Sequence, residues 1–148
     1  MLTVIAACIG MLCLTTLIHF EVLTTLTRVL PALPLRSRFK LLVVLGSVFL
    51  AHVIEIGLFS LALLMLVKFG AGTMTSADPL SFQTALYFSA ETFTSLGYGD
   101  LVPTGVLRLM ASSETLNGLL LIGWSASYIY IAMERFWAPN LGDSGKDD

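Results

Sequence analysis

A chain of 148 residues that is 56% hydrophobic and only 12% charged has too little polar surface to coat a soluble domain of its size. Its net charge of -2, with the few charges grouped rather than spread, offers no basic face for nucleic acid. Cys8 and Cys13 both lie in one apolar run, where they pack as small apolar groups and make neither a disulfide framework nor a zinc site.

The first apolar run covers residues 2–18. It lacks the basic leader and small-residue cleavage site of a secretory signal, so it reads as a retained transmembrane helix. Past His19 and Glu21 the helix continues as an interfacial turn or two toward Val29, and Pro31 and Pro34 stop it. Residues 1–30 are therefore an N-terminal transmembrane helix and 31–40 a basic link. A second run, the outer helix 41–69, lies between Lys40 and Lys68 and is longer than the hydrocarbon core, which predicts tilt or extension into the headgroups. A third helix spans 106–137, with Phe136 and Trp137 suited to an interface and Pro139 with Gly142 marking its stop. Residues 138–148 form a short tail.

Arg28, Arg36, Arg38 and Lys40 gather between the first two spans, which assigns that link to the cytoplasm. The N-terminus then faces outward, the C-terminus lies in the cytoplasm, and residues 70–105 face outward. In that segment Asp78 reads as a helix cap and Pro79 as a first helical residue. A helix over 79–94 is too short to span. A short helix followed by glycine-rich backbone between two full spans is a re-entrant loop. Irregular backbone is tolerated at membrane depth only where it is buried in protein or lines a water-filled path.

Ser95-Leu96-Gly97-Tyr98-Gly99-Asp100 resembles the selectivity filter of potassium channels, whose usual form is Thr-Val-Gly-Tyr-Gly-Asp. The resemblance covers the pore domain, residues 41–137: outer helix 41–69, pore helix 79–94, filter 95–100 and inner helix 106–137. It implies an all-α membrane protein with three transmembrane helices, a re-entrant pore helix and a filter loop, assembled as a homotetramer. K⁺ sheds its water to enter, and consecutive inward carbonyls replace that water. Glycine at alternate positions permits the dihedrals this requires, and Gly97 and Gly99 meet the need. Ser95, Leu96, Gly97 and Tyr98 would bind K⁺ in stacked oxygen rings, with the side chains of Leu96 and Tyr98 bracing the filter from behind. No other cofactor is implied. Ser95 in place of Thr and Leu96 in place of Val relax the filter slightly.

Glu91, nine positions before Asp100, resembles the glutamate of bacterial proton-activated channels. There the two carboxylates would meet behind the filter and share a proton, tuning inactivation. The alternative is a structural Glu91 bonded to backbone amides. Tyr87 and Phe88 occupy places where many family members carry tryptophans that clamp the filter tyrosine; both could instead pack on the inner helix.

His52 and Glu55 share a face of the outer helix. They pair with each other or reach the first or third helix, as packing glue or as a proton sensor, and two ligands are too few for a metal. Gly118 matches the family's inner-helix hinge, with Gly123 a second bending point. On that register Leu119, Ile122, Ala126 and Tyr130 line the pore, Tyr130 forms the cytoplasmic constriction, and Glu114 lies near the foot of the pore helix.

No helix carries the regular arginines of a voltage sensor, and no enzyme constellation is present. The extra N-terminal helix is expected outside the outer helix, anchoring Arg28, Arg36, Arg38 and Lys40 at anionic lipid. The function implied is a passive K⁺-selective channel of a bacterial-type inner membrane. Alternatives are a nonselective cation channel on the same fold, a non-conducting channel-associated subunit, or a K⁺ transporter subunit.

Overall fold

The computed structural model describes residues 1–75 and 79–141, with side chains through Arg135. Among the described residues three helices are long and apolar enough to cross a membrane: α1 (Leu2–Val29), α2 (Ser37–Lys68) and α4 (Leu107–Leu141). The 32 residues of α2 make about 48 Å of helix at ~1.5 Å per residue, against a hydrocarbon core of about 30 Å. A short helix, α3 (Phe82–Phe93), lies between α2 and α4 in the chain. The fold is all-α apart from a two-residue antiparallel pair, β1 (Met74–Thr75) with β2 (Val102–Pro103), in the register Met74↔Pro103 and Thr75↔Val102.

Several boundaries differ from those read in the sequence. A single 3-10 turn, Leu30–Ala32, follows α1, and α2 starts at Ser37. The basic link is thus only a few residues long, and Arg38 and Lys40 already belong to a helix. The start of α3 is set by Ser81, not by Pro79: Ser81 is extended, and its hydroxyl accepts the Thr84 amide at 3.1 Å. Asp78, the side chains of Phe136 and Trp137, and residues 142–148 lie outside the described residues. α4 runs to Leu141, so Pro139 stands inside its last stretch, where only one intrahelical bond to Arg135 is forgone.

Two apolar clusters hold the helices. Val4 and Cys8 of α1 meet Phe59, Leu63 and Leu66 of α2, Phe88 and Phe93 of α3, and Leu107, Met110 and Leu121 of α4. Leu23, Leu26 and Leu30 meet Val44, Val48 and Ala132 at the other end. These contacts run α1 antiparallel to α2 and parallel to α4. They also correct the expectation that α1 lies only outside the outer helix. Asn117 of α4 donates to Thr15 Oγ1 at 2.8 Å, Tyr128 and Thr27 hydroxyls meet at 3.1 Å, and Cys8 Sγ lies 3.7 Å from Met110 Sδ. Small polar side chains are effective interhelical contacts where apolar surface gains nothing over lipid, which is why α1 settles on the inner helix as well.

Beyond α2 the chain turns at Gly70 and Gly72 toward the segment that follows the candidate filter. Thr104 donates its amide to the Thr73 carbonyl at 2.9 Å, and its hydroxyl accepts the Thr73 amide at 3.0 Å. A Cβ on Gly72 would stand 2.7 Å from Thr104 O. This clasp fixes where the loop re-enters α4.

Candidate functional site

The loop after α3 grows out of that helix's last turn. Ser95 donates its amide to Thr92 O at 3.1 Å. The next amides then turn back on one residue. Leu96 N and Gly97 N reach the Glu91 carbonyl at 2.8 and 3.3 Å, and Tyr98 N reaches Glu91 Oε2 at 3.1 Å. In an ordinary strand, successive amides point to opposite sides. Here three in a row point to one side, which demands alternating backbone handedness. The alternation is present: φ is +60° at Ser95, +53° at Gly97 and +82° at Gly99. Glycine adopts this region freely. Ser95 does so at a cost of about 1–2 kcal/mol, and nothing in a serine signals that requirement in advance. The carbonyls of residues 95–98 accept no hydrogen bond from any described residue.

Glu91 is buried and belongs to the helix, so its carboxylate works as a fixed acceptor for the loop. This departs from a Glu91–Asp100 contact: Glu91 bonds the Tyr98 amide, and Asp100 lies against the Tyr87 phenol instead. Desolvation first, and then the Asp100 carboxylate, hold that phenol above its ordinary value, with smaller contributions from Glu91 and Tyr98. The Tyr87 ring stacks parallel on Tyr98, with centroids 6.5 Å apart. Phe88 instead sits in the apolar core against α2 and α4. Leu96 and Tyr98 remain 57% and 69% exposed, so apart from the Tyr87 stack their own chain leaves them largely open.

The end of α3 is seated on α4. Thr115 donates its hydroxyl to Thr92 O at 3.1 Å. A Cβ on Gly118 would fall 2.0 Å from the Phe93 carbonyl oxygen and 2.9 Å from its ring. Gly118 is thus a contact glycine in an unbroken helix, a sufficient reason for glycine that is distinct from a hinge. Gly123 has open space around it. Glu114 is 1% exposed and faces Ser89 of α3, yet Glu114 Oε1 and Ser89 Oγ both lack a partner in hydrogen-bond geometry among the described residues. Leu119, Ile122, Ala126 and Tyr130 all lie on surface that the single chain leaves open.

A second polar group sits between the two apolar clusters. Glu55, fully buried, meets His19 Nδ1 at 2.9 Å through Oε1 and His52 Nδ1 at 2.8 Å through Oε2. Both Nε2 atoms then meet Ser125 Oγ at 3.0 Å. The outer-helix pair therefore reaches the first and the third helix at once. His19 and Ser125 were not legible as members, because a lone histidine at a helix end and a serine among small residues carry no long-range signal.

Three apolar spans, a short capped helix between the second and third, and a loop that gathers consecutive amides on Glu91 define a pore-loop membrane protein. The chain matches the family model described as "Ion channel" over residues 42–135, which takes in most of α2, all of α3, the loop and α4 to Arg135. It belongs to this ion channel family and is not an enzyme. It is 36% identical over 104 residues to the inward rectifier potassium channel Kirbac3.1 of Paramagnetospirillum magnetotacticum, a match covering 69% of this chain and 34% of that protein. It is 42% identical over 78 residues to the uncharacterized membrane protein YdjJ of Bacillus subtilis (strain 168), covering 49% of this chain and 23% of that protein. No solved structure matches at a significant level. α1 lies wholly outside the matched range.

Proposed function

We propose that this chain forms a K⁺-selective channel, four copies around a central axis, in which the carbonyls of Ser95, Leu96, Gly97 and Tyr98 replace the water of a dehydrated K⁺. The observation that carries the reading is the left-handed alternation at Ser95, Gly97 and Gly99, with the intervening amides gathered on Glu91. It leaves the consecutive carbonyl oxygens of residues 95–98 without a partner among the described residues, free for the coordination that an ion filter needs. One loop supplies one quarter of each oxygen ring, and the exposed Leu96 and Tyr98 side chains would be braced by the neighbouring copy. The printed name of the Paramagnetospirillum relative, a potassium channel, agrees with this choice of ion.

The α3 C-terminus, with its partial negative charge, aims at the cavity below the filter and favours a cation there. Leu119, Ile122, Ala126 and Tyr130 would line that cavity, with Tyr130 narrowing it at the cytoplasmic end. Gly118 and Gly123 are the places where α4 could bend. The membrane is the bacterial inner membrane, with the N-terminus outside and the C-terminus in the cytoplasm. Exposed Arg28, Arg36 and Arg38, together with Lys40, favour a cytoplasmic link seated on anionic lipid. No cofactor beyond the filter ions is needed.

The test is a reversal-potential measurement on the purified chain in bilayers with K⁺ and Na⁺ on opposite sides. The potential should follow the K⁺ gradient. Equal permeability would reject K⁺ selectivity and leave a nonselective cation channel. No flux from the chain alone would leave a non-conducting subunit.

A further inference from the structure

The polar layer between the two apolar clusters is arranged like a metal centre. His19 of α1 and His52 and Glu55 of α2 present ligand atoms that all lie within 4.8 Å of one another. We propose that these three side chains bind a zinc-class divalent cation, with Ser125 of α4 holding both imidazoles from outside, and that the bound cation ties α1 and α2 to the inner helix.

Two imidazoles and a carboxylate are an established zinc set that leaves a fourth position for a small ligand. Ca²⁺ and Mg²⁺ prefer all-oxygen shells, so the nitrogens select the borderline-soft ions Zn²⁺, Co²⁺ and Ni²⁺. Both Nδ1 atoms face Glu55, at 2.9 and 2.8 Å. Metal bonds of about 2.0–2.2 Å in a tetrahedron separate ligands by roughly 3.3–3.5 Å. The two Nδ1–Glu55 contacts need open by about half an ångström, while the widest separation in the cluster, up to 4.8 Å, has to close by side-chain torsion.

The hydrogens favour the same conclusion. Four contacts close the ring Glu55–His19–Ser125–His52. With Glu55 ionised and both rings neutral, only three hydrogens are available to bridge them. If both rings carry the proton on Nε2, Ser125 Oγ accepts twice, and two Nδ1 lone pairs face a carboxylate. A cation fits that place. The outer hydroxyl then plays the part usual for a partner of metal-bound histidine, fixing tautomer and ring orientation.

The location gives binding a consequence. The His52 side chain is 17% exposed, while the Glu55 side chain is fully buried. The His52 ring also packs edge-on against Phe93 at 5.7 Å, and the Phe93 carbonyl rests on Gly118. Occupancy therefore stiffens both the end of the pore helix and α4, so the site would control conduction from behind the filter.

The experiment uses the full chain, purified, stripped with chelator and titrated with Co²⁺ while the visible absorption of four-coordinate cobalt is followed; zinc content is measured in parallel. One cation per chain is expected, abolished in His19→Ala and Glu55→Gln and retained in Glu114→Gln. Ser125→Ala should weaken binding by about 10–100-fold. Zinc, but not magnesium, should raise the melting temperature of the unaltered chain, a reading that needs no variant to fold. No cobalt signal and no zinc-induced stabilisation, or binding that survives both ligand substitutions, overturns the site. If zinc-loaded and stripped channels conduct alike, the control of conduction is overturned while the site stands. Because binding is read without ion flux, failure here is distinguishable from failure of the channel reading.

Discussion

The filter loop and the His19–His52–Glu55–Ser125 cluster are both polar backbone or side-chain sites at membrane depth, yet they are finished in opposite ways. Every contact of the cluster is made inside one chain, by three helices, with Glu55 fully buried. The loop is only half finished. Its amides are satisfied by Glu91, while its carbonyls lack partners among the described residues and Leu96 and Tyr98 stand exposed. Leaving backbone groups unpaired in a bilayer costs several kcal/mol each in the absence of a partner. A loop with four unpartnered oxygens at membrane depth needs something to receive them, which the proposed channel would supply as ions along an axis and sister loops around it. The cluster is a tie completed within one chain, and the loop is left open by that chain.

Substitutions can break this contrast, and the largest effect belongs to the loop. Gly97→Ala or Gly99→Ala strains each loop by about 1–2 kcal/mol, repeated in every copy. Ion flux in liposomes should fall by about a hundredfold or more, while the melting temperature falls by only a few degrees. The opposite signature belongs to the cluster. His19→Ala leaves buried Glu55 short of a partner, which costs about 3–5 kcal/mol when a buried charged pair is broken. The melting temperature should drop clearly. A loss nearer the ~0.6 kcal/mol typical of interhelical hydrogen bonds in membranes would mean that Glu55 finds another partner.

Smaller effects sharpen the boundary between the two. Gly118→Ala drives a methyl into the Phe93 carbonyl, an overpacking cost of about 1–3 kcal/mol. It should reduce thermal stability and flux together, since Gly118 seats the base of the loop. Glu91→Ala removes the acceptor of the Tyr98 amide, worth about 1–3 kcal/mol. Open times in single-channel records should shorten, and Glu91→Gln, which keeps a carbonyl oxygen, should recover most of them. Unchanged records in Glu91→Ala would remove this residue from the filter's support.

Tyr87→Phe should do least, since the stack on Tyr98 survives without the hydroxyl. The Tyr87 phenol is raised, so it keeps its proton as pH climbs past the ordinary tyrosine value, and any stabilisation from its O–H is lost only above that. Wild type and Tyr87→Phe should therefore show the same pH dependence of flux around neutrality and part only in strong alkali. Divergence at neutral pH would overturn the Tyr87–Asp100 contact.

How far the sequence reached follows from the range of each interaction. Long apolar runs, paired glycines and short helix signals are local, so three spans and a glycine-bearing loop could be read from the chain alone. The cap was misplaced by a few residues because Ser81 and Asp78 both suit such a position, and only the path of the backbone chooses. Ser95 in the left-handed region, Glu91 on the Tyr98 amide, and Gly118 beneath Phe93 each depend on how α3 meets α4. Composition and periodicity determined that this chain lives in a membrane and places irregular backbone between its second and third crossings, since both are dictated by hydration of consecutive residues. That His19, His52, Glu55 and Ser125 converge was decided by tertiary packing alone, because residues 36 to 106 positions apart meet only when three helices are laid side by side.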